Sequence, residues 1–517
     1  MSAQSSVQRS AKASPPLVPT GVAGLDLILL GGMLQGGFYL VQGDPGSGKT
    51  TLALQFLQAR RAAGERCLYI SLTESRVDLE NACSSHGWSM EGLELRDLTR
   101  SEADLEQHSK VSVFHPADTE LSDLMRTVKE EIERVRPQHI VFDGMSELRL
   151  LTGEPLRYRR TLLSLKELFA RHGATAMLLD DRSSPFPGLP AESLVGGNIV
   201  LERTMPAYGR ARRRAFVTKV RGGSFREGFH DYDIVRGGVV IYPRLVASEH
   251  HASFPRELMP SGVAGLDTML EGGLSSGSTT LLLGPAGCGK STTAMQFVVQ
   301  ALRAGKRAAV YAFDEVANTL LERSEKLCAP KHGGIRAYQD EGKLYVQQVD
   351  PAELSPGAFA QEVRRVVDEG AQVIVIDSLN GYLNAMPEER SLNAHLHELF
   401  SYLNQKGVLT IIVVAQQGMV AGATSLNGID VSYLADSVLL FRYYEAAGEV
   451  HQALSVFKKR TGPHERSIRE LTIGSTGFDV GEPLRHFRGI MTGVPEYLDG
   501  SFLGPDAIGS RNPQATD

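Results

Sequence analysis

Short apolar runs alternate along the chain with longer amphipathic stretches. In the second half the apolar runs are TTLLLG, AAVYAFDE, QVIVIDSL and VLTIIVVAQQ, and TAMQFVVQALRAG, AFAQEVRRVVDEG and LHELFSYLNQKG lie between them. Runs of about four to eight residues rich in β-branched side chains are typical of buried strands, and helices need about ten or more residues. The alternation predicts an α/β fold with a mainly parallel sheet flanked on both faces by helices.

Each half ends with two apolar runs joined by a turn. These segments are NIVLERTMPAYGRARRRAFVTKVRGG in the first half and SVLLFRYYEAAGEVHQALSVFKKR, with Gly448 in its turn, in the second. Two strand-like runs around a short turn are typical of a β-hairpin. We therefore expect an antiparallel hairpin on each sheet, with the basic run RARRR (residues 210–214) exposed at the tip of the first.

The two halves repeat one pattern. PTGVAGLDLILLGGMLQGG (residues 19–37) returns as PSGVAGLDTMLEGGLSSGS (residues 260–278), and both copies precede an apolar run and a glycine-rich loop. At one constant offset, Gly21, Lys49 and Gln55 recur as Gly262, Lys290 and Gln296. A repeat of this length indicates duplicated domains and not a solenoid.

The domain boundary is expected in the polar segment VASEHHASFPREL (residues 246–258). We predict a disordered N-terminus at 1–14, a first domain at 15–247, a linker at 248–258, a second domain at 259–495 and a flexible tail at 496–517. His250 and His251 have no further ligand at a useful spacing, so a solvated pair is favoured over a metal site.

A glycine-rich loop follows an apolar run and opens an amphipathic stretch in each half. Both loops fit G-x-x-x-x-G-K-[ST], in which backbone N–H groups surround the phosphates, the lysine reaches the β- and γ-phosphates and the hydroxyl binds Mg²⁺. The predicted nucleotide-binding residues are Gly43, Asp44, Pro45, Gly46, Ser47, Gly48, Lys49, Thr50 and Thr51, and Gly284, Pro285, Ala286, Gly287, Cys288, Gly289, Lys290, Ser291 and Thr292. Thr50 and Ser291 are the predicted Mg²⁺ ligands.

Acidic residues end further apolar runs. Asp143 ends HIVFD and Asp377 ends VIVID, which predicts a second Mg²⁺ ligand in each half. Glu74 ends YISLTE, and Asp314 with Glu315 ends YAFDE, so we expect these carboxylates to orient or deprotonate the attacking group. The alternatives are a turn carboxylate for the first pair and a helix N-terminal acid for the others.

Two pairs of cations recur at matched places. Lys219 and Arg221 alternate in FVTKVRGG, and Lys458 and Arg460 alternate in SVFKKRTG. Residues two apart on a strand share a face, so each pair can act on one phosphate, including that of a neighbouring subunit. A solvated strand edge is the alternative.

Composition narrows the class of protein. The 517 residues carry a net charge of −6 with a pI near 6.2, which argues against nucleic acid and against an anionic membrane as partners. Four scattered cysteines without CxxC spacing are typical of reduced thiols. The N-terminus lacks a signal-like apolar segment, and the apolar runs are too short to span a bilayer. We therefore expect a cytoplasmic protein.

The order of these motifs resembles the KaiC family, the circadian-clock ATPases and autokinases of the RecA-like P-loop superfamily. The resemblance rests on the tandem halves, the GVAGLD lead-ins, the strand-end acids and the segment FKKRTGPHERSIREL, and it extends from about residue 15 to residue 495. It implies two tandem RecA-like domains that bind ATP and Mg²⁺ in a homo-hexamer of two stacked rings. The first ring would hydrolyse ATP slowly, and the second would phosphorylate and later dephosphorylate itself.

The resemblance also implies the acceptor residues, and this chain departs from the family there. Ser432 falls at the serine acceptor, Tyr433 at the threonine acceptor and Asn427 at a third family threonine, so Ser432 is the expected acceptor. A hydroxyl that serves only a helix or turn is the alternative for Ser432. Tyrosine is longer than threonine, which argues against double phosphorylation.

The acids depart from the family as well. It has paired glutamates at both strand ends, whereas this chain has Thr73–Glu74 and Asp314–Glu315. In the first half we expect either slower hydrolysis or a shift of the catalytic task to Glu74, and in the second half weaker proton abstraction from Ser432 by the shorter Asp314.

Partners and alternative functions follow from the same comparison. A KaiB-like partner is compatible with the first ring, while residues 493–517 do not match the segment that binds the activator KaiA, which argues against KaiA dependence. A RecA- or DnaB-like nucleic-acid motor would share the loops and cations, but no basic loop interleaved with aromatic residues is evident. The third candidate is a scaffold that binds ATP only to hold subunits together.

Overall fold

The computed structural model describes residues 16–99, 116–182, 191–206, 209–327, 334–350, 352–384, 392–416, 432–474, 477–491 and 495–498. The chain divides after Arg244 into two compact units. The N-terminal segment predicted to be disordered, and most of the predicted tail, lie outside the described residues.

The first unit carries helices α1 to α6 and strands β1 to β11 in its described ranges. The helices are α1 Ala23–Ile28, α2 Lys49–Ala62, α3 Arg76–His86, α4 Pro116–Val135, α5 Met145–Thr152 and α6 Pro155–Arg171. The strands are β1 Leu17–Val18, β2 Met33–Leu34, β3 Phe38–Gly43, β4 Cys67–Ser71, β5 Glu94–Asp97, β6 His139–Asp143, β7 Thr175–Asp180, β8 Gly197–Thr204, β9 Arg212–Val220, β10 His230–Val235 and β11 Gly238–Tyr242. A 3-10 helix, Ala191–Ser193, precedes β8.

The first unit's main sheet has the strand order β11-β10-β9-β8-β3-β7-β6-β4-β5. The strands from β8 to β5 pair in parallel, and β9, β10 and β11 pair antiparallel. Two separate clusters of buried apolar side chains cover its two faces. The α/β fold and the hairpin β8–β9 are thus confirmed, while the edge hairpin β10–β11 was missed because HDYDIV is only half apolar.

The second unit carries α7 to α13 and β12 to β24 in its described ranges. The helices are α7 Ala264–Met269, α8 Lys290–Arg303, α9 Ala317–Glu325, α10 Ile335–Asp340, α11 Pro356–Asp368, α12 Leu379–Asn384 and α13 Leu392–Gln405. The strands are β12 Leu258–Met259, β13 Leu274–Ser275, β14 Thr279–Gly284, β15 Arg307–Ala312, β16 Leu344–Gln348, β17 Ala371–Asp377, β18 Leu409–Ala415, β19 Ser437–Ala446, β20 Glu449–Lys459, β21 Ile468–Gly474, β22 Gly477–Pro483, β23 Phe487–Arg488 and β24 Glu496–Tyr497. The 3-10 helices are Ala247–Glu249 and Ser432–Leu434.

The second main sheet repeats the first, with the order β16-β15-β17-β18-β14-β19-β20-β21-β22. Strands β16 to β19 pair in parallel, and β20, β21 and β22 are antiparallel. Apolar clusters again cover both faces. The predicted strands and helices of this half are all present, and the predicted hairpin is β19–β20.

The basic run of the first hairpin does not lie at its tip. Arg212–Val220 form β9, so three of the arginines lie within the strand, opposite residues 202–204 of β8. They are half-buried, and Arg210 forms an ion pair with Asp233 at 2.9 Å. The expectation of simple exposed charge is therefore wrong for these arginines. The turn of the hairpin precedes them, because β8 ends at Thr204 and β9 already begins at Arg212.

The segment predicted to be a linker is ordered against the second unit. The His250 ring meets the edge of the Tyr402 ring, with centroids 5.1 Å apart. The Phe254 ring lies against Gly277 and Gly407, where an added Cβ would come within 2.4 and 2.6 Å of it. Two glycines thus leave room for this aromatic side chain.

A buried histidine forms hydrogen bonds on both sides of the edge hairpin β10–β11 of the first unit. His230 begins β10 and is 1% exposed. Its Nδ1 accepts a hydrogen bond from the Arg244 N–H at 2.9 Å, and its Nε2 lies 3.3 Å from the Arg226 carbonyl oxygen. Burial lowers the pKa of this imidazole. The neutral ring, protonated at Nε2, satisfies both partners.

We predict that His230→Asn makes the first unit less sensitive to acid. Because the pKa is lowered in the folded state, the unfolded chain binds the proton more readily as the pH falls below about 6.5, and stability is lost. Asparagine keeps an acceptor near the position of Nδ1 but does not titrate. The single tryptophan, Trp88, lies in this unit, so its fluorescence in urea reports the unfolding free energy.

Between about pH 7.5 and about pH 5.5 the wild type should lose about 1 kcal/mol more than the variant, since one pKa unit corresponds to about 1.4 kcal/mol. His172→Asn, at an exposed histidine, is the matched control and should behave like the wild type. Equal losses in wild type and His230→Asn would contradict the prediction.

Candidate nucleotide-binding sites

The first glycine-rich loop joins the carboxyl end of β3 to the amino end of α2. Gly48 is the N-cap of α2 and has a left-handed φ of 94°, which glycine adopts without strain. A Cβ at Gly48 would lie 2.6 Å from the Ile234 side chain on β10. The edge hairpin therefore packs directly against the loop, and the helix N-terminus directs free N–H groups towards any bound phosphate.

A cavity of about 330 Å³ lies over this loop. Its walls include Lys49 and Thr50 of the loop, Glu74 after β4, Asp143 at the end of β6 and Asp181 after β7. The residues predicted from separate motifs thus lie in one cleft, because the carboxyl ends of parallel strands meet at one edge of the sheet. The volume is within the range of small-molecule sites, about 300–1,000 Å³.

The loop lysine is held by an acid that the sequence patterns did not single out. Lys49 Nζ donates to the carbonyl oxygens of Gly43 at 2.7 Å and Asp44 at 3.3 Å, and to Asp181 Oδ1 at 2.6 Å. The signal was the doubled aspartate that ends AMLLDD. It pointed to this site only once β7 was known to pair with β3.

A tyrosine links the two predicted Mg²⁺ ligands of the first site. Tyr69 is fully buried; its hydroxyl donates to Asp143 Oδ2 at 2.6 Å and also hydrogen-bonds Thr50. Burial raises the pKa of Asp143 to about 6, opposed by the Tyr69 hydrogen bond and reinforced by the charge of Glu74. A hydroxyl and a carboxylate oxygen side by side fit a hard cation such as Mg²⁺.

Glu74 does not cap the helix that follows it. Ser75 is the N-cap of α3 and forms a capping box with Asp78. Glu74 instead lines the cleft, and its backbone N–H donates to Ser71 Oγ at 2.9 Å. Its carboxylate is therefore available to a reactant in the cleft.

The second glycine-rich loop joins β14 to α8 in the same way. Gly289 is the N-cap with a φ of 95°, and a Cβ there would lie 2.7 Å from the Ile473 side chain. Lys290 is 6% exposed; its Nζ donates to the Pro285 carbonyl oxygen and lies 3.8 Å from Cys288 Sγ. Burial raises the pKa of the Cys288 thiol, so this cysteine packs the loop and is not an activated nucleophile.

The predicted Mg²⁺ ligands of the second site are in direct contact. Ser291 hydrogen-bonds the carboxylate of Asp377, the last residue of β17. Burial raises the pKa of Asp377 and this hydrogen bond lowers it. The pair of oxygen ligands fits Mg²⁺ here as well.

The adjacent acids of the second site have different partners. The Ser378 hydroxyl donates to Asp314, and a Cβ at Gly381 would lie 2.5 Å from Asp314 Oδ1. Glu315 Oε2 accepts from Arg323 Nη2 at 3.0 Å. Asp314 is exposed and Glu315 is half-buried.

The first cation pair lies beside a 3-10 helix. Lys219 donates to the Glu192 carbonyl oxygen, and Arg221 Nη2 donates to the Ser193 carbonyl oxygen at 2.8 Å. Burial and the nearby Arg221 charge lower the pKa of Lys219. Lys219 lies opposite Asn198, near the amino end of β8. The pair is therefore at the other end of the parallel strands from the loop of its own unit.

The second pair has the same placement. Lys458 Nζ donates to the Ala435 carbonyl oxygen at 2.6 Å, and Arg460 Nη1 lies 4.0 Å from Asp436 Oδ1. Lys458 pairs with Val438 near the amino end of β19. Each cation pair thus lies near the amino ends of the parallel strands, and the structure does not bring it to the loop of its own unit.

The expected acceptor segment lies next to this second pair. Ser432 is the first residue of the 3-10 helix Ser432–Leu434, and this helix ends just before Ala435, whose carbonyl oxygen binds Lys458. Tyr433 is 53% exposed. The side chain of Ser432, and the whole of Asn427, lie outside what the structure describes.

No helix in the described part of the chain is both long and apolar enough to cross a membrane. In the same ranges, no three His, Cys, Asp or Glu side chains are grouped to hold a metal ion by themselves.

Comparisons with known proteins give one consistent result. A family model described as the KaiC ATPase matches residues 18–246 and again residues 259–485, together well over half of the chain. The circadian clock protein KaiC3 of Synechocystis sp. is 25% identical over 483 residues, covering 92% of this chain and 94% of that protein. The circadian clock oscillator protein KaiC is 26% identical in Thermosynechococcus vestitus (95% and 94% covered) and 27% identical in Synechococcus elongatus (92% and 91% covered).

We predict that Tyr69→Phe destabilises the first unit by about 1–3 kcal/mol, because a buried carboxylate loses a hydrogen bond. Urea unfolding followed by Trp88 fluorescence at about pH 8, where a carboxyl of pKa near 6 is ionised, gives the difference. Tyr311→Phe is the matched control: the Tyr311 hydroxyl is buried with no hydrogen-bond partner among the described residues. Calorimetry should show no loss for it. A Tyr69→Phe variant with the unfolding free energy of the wild type would contradict a stabilising hydrogen bond from Tyr69 to Asp143.

Proposed function

The chain belongs to the KaiC family of ATPases, and we propose that it is an ATP-hydrolysing, self-phosphorylating protein that acts as a timing or signalling switch. One observation carries the proposal. In each unit a phosphate-binding loop is followed by a hydroxyl that lies beside a strand-end carboxylate, with further acids close by. Relatives named circadian clock protein and circadian clock oscillator protein support the switch role.

ATP would be held at both loops. Lys49 and Lys290 would move from the loop carbonyl oxygens to the β- and γ-phosphates, and backbone N–H groups would hold the remaining phosphate oxygens. Mg²⁺ would be held by Thr50 with Asp143 and by Ser291 with Asp377; when bound, it neutralises phosphate charge.

Glu74 in the first site, and Asp314 with Glu315 in the second, are the proposed catalytic carboxylates. Each stands after the strand next to the one that ends in the Mg²⁺-binding aspartate. A carboxylate there can orient water, or accept a proton from the attacking hydroxyl. Thr73 replaces one acid of the first site, so we propose slower hydrolysis there, with ATP serving mainly to hold subunits together.

We propose assembly as a homo-hexamer, and the placement of the cations supports contact between neighbouring subunits. Lys219 with Arg221 and Lys458 with Arg460 lie at the amino ends of β8 and β19, whereas the loops lie at the carboxyl ends of β3 and β14. Lys458 lies opposite Val438, which pairs with Leu281, and the loop begins three residues later at Gly284, about 10 Å along the strand. A ring in which each cation pair meets the neighbour's ATP satisfies both ends.

Self-phosphorylation at Ser432 would use the same geometry. The segment that begins with Ser432 is held by Lys458 through Ala435, at the amino end of β19. The Ser432 hydroxyl would attack the γ-phosphorus of the neighbouring subunit's ATP, its proton would pass to Asp314 or Glu315 of that neighbouring subunit, and ADP would leave. Hydrolysis of the phosphoserine would reset the switch. Tyr433 is the secondary acceptor.

Location and partners extend the proposal. We place the protein in the cytoplasm, with a KaiB-like partner on the first unit and no KaiA dependence. A nucleic-acid motor is the alternative enzyme. For the first site the non-enzymatic alternative is a scaffold with little ATP turnover, and Thr73, which stands where the second site has an acid, favours it.

We predict that ATP turnover by the full chain needs both loop lysines. With Mg·ATP, Lys49→Ala and Lys290→Ala should each remove one component of phosphate release, and the double variant should fall about a hundredfold, the order lost when a charge-stabilising group is removed. Turnover unchanged in the double variant would refute the assignment of the sites. Single-stranded DNA should leave the rate unchanged; strong stimulation would favour the motor instead.

We predict that incubation with Mg·ATP phosphorylates Ser432, because its segment faces the proposed subunit interface. Mass-spectrometric site mapping should find the phosphate there, and Ser432→Ala should lose most of it. Ser401→Ala, at a half-buried serine of α13, is the control. ATP consumption without any phosphorylated residue would leave a plain ATPase and remove the kinase proposal.

A further inference from the structure

The two loop lysines differ in their third partner. Lys49 donates to two loop carbonyl oxygens and to the carboxylate of Asp181, 2.6 Å away. Lys290 donates to the Pro285 carbonyl oxygen and lies near Cys288, without an acidic partner among the described residues. The ammonium of the first loop therefore has a carboxylate within hydrogen-bond distance, whereas Lys290 has none in the described part of the chain.

The difference comes from one position at the end of one strand. β7 pairs with β3 so that Gln42 faces Asp180, which places Asp181 beside Gly43; β18 pairs with β14 so that Gly284 faces Ala415. Asp181 and Ala415 are thus equivalent. Asp180 points the other way and binds Arg149 at 2.9 Å, as neighbouring residues of a strand do. Asp181 alone therefore faces the cleft.

Resting on the ATP-binding function proposed above, we propose that Asp181 is a counter-ion that the γ-phosphate of ATP must displace from Lys49, so that the first site is biased towards ADP. Asp181 acts through Lys49 and is a positioning residue.

The bias follows from where the charges lie. A loop lysine reaches the β- and γ-phosphates, so ATP must draw Lys49 fully away from Asp181, whereas ADP contacts Lys49 through its β-phosphate alone and displaces Asp181 less. Once Lys49 has moved, the Asp181 carboxylate faces the most negative part of ATP, and like charges repel. Both effects weaken ATP binding more than ADP binding, and neither operates at Lys290.

The expected size is moderate because the pair is partly solvated. The side chains of Lys49 and Asp181 are 12% and 40% exposed. Ion pairs with such exposure are worth at most about 1 kcal/mol, and repulsion of the γ-phosphate adds to this, which gives about a three- to tenfold effect on the ATP dissociation constant.

The test is equilibrium dialysis of the full chain with radiolabelled Mg·ATP and Mg·ADP. In a Lys290→Ala background, which isolates the first site, Asp181→Asn should tighten ATP binding about three- to tenfold and ADP binding clearly less. Asp181→Glu should restore wild-type affinities. The difference should shrink as salt is raised, because partly exposed charges are screened. A structural role for Asp181 would give neither the ATP–ADP split nor the salt dependence.

The duplicated domain supplies a reciprocal test. In a Lys49→Ala background, which isolates the second site, Ala415→Asp should weaken ATP binding more than ADP binding. Asp123→Asn is the matched control. Asp123 is 46% exposed and its Oδ1 lies 2.9 Å from Arg126 Nη2, and it does not line the cleft. This variant should change neither the ATP nor the ADP affinity.

The outcomes separate the two proposals. ATP binding that is unchanged or weaker in Asp181→Asn, with the wild-type first site binding ATP, overturns the counter-ion role and leaves the ATPase proposal intact. Absence of ATP binding at both sites of the wild type overturns the proposed function itself. Circular dichroism of each variant confirms folding, and Ala415→Asp in the second site decides the case if Asp181→Asn unfolds.

Discussion

Both candidate sites depend on the parallel pairing of the loop strand with its two neighbours. β3 lies between β7 and β8, and β14 lies between β18 and β19, so each loop strand is buried on both edges. Such a strand must pass the chain to a helix above the sheet, and the helix N-terminus there has unsatisfied N–H groups. The same pairing aligns the carboxyl ends of the neighbouring strands, which is why acids from distant parts of the sequence share one cleft.

Duplication preserved this frame and allowed the chemistry to diverge. The strands, the loops and the left-handed glycines match between the units. Three features differ between the units. These are the partners of the loop lysine, the partners of the strand-end aspartate (Asp143 or Asp377), and the acids that follow β4 and β15. Tyr69 links Thr50 to Asp143 in one unit, whereas Ser291 binds Asp377 directly in the other. A single residue at a strand end can change the cleft, because alternate side chains there face it: Asp181 does, whereas Asp180 binds Arg149.

Each unit has two chemically distinct ends. The carboxyl ends of the parallel strands hold the loop and the acids, and the amino ends hold the cation pair and, in the second unit, the acceptor segment. A side chain at one end cannot reach the other within one unit. Under the proposed function the phosphate chemistry needs both ends, and a closed ring would bring opposite ends of neighbouring copies together.

The amino-acid sequence alone determined the fold class, the duplication, the loops and the acids at the strand ends, because these depend on local periodicity and on motifs of contiguous residues. It did not reveal the edge hairpin of the first unit, whose first strand, HDYDIV, is only half apolar, nor the contact of the 248–258 segment with the second unit. Asp181 and Tyr69 had no motif of their own. Only the tertiary structure decided that they belong to the site, because strand order, and not sequence distance, sets which side chains meet.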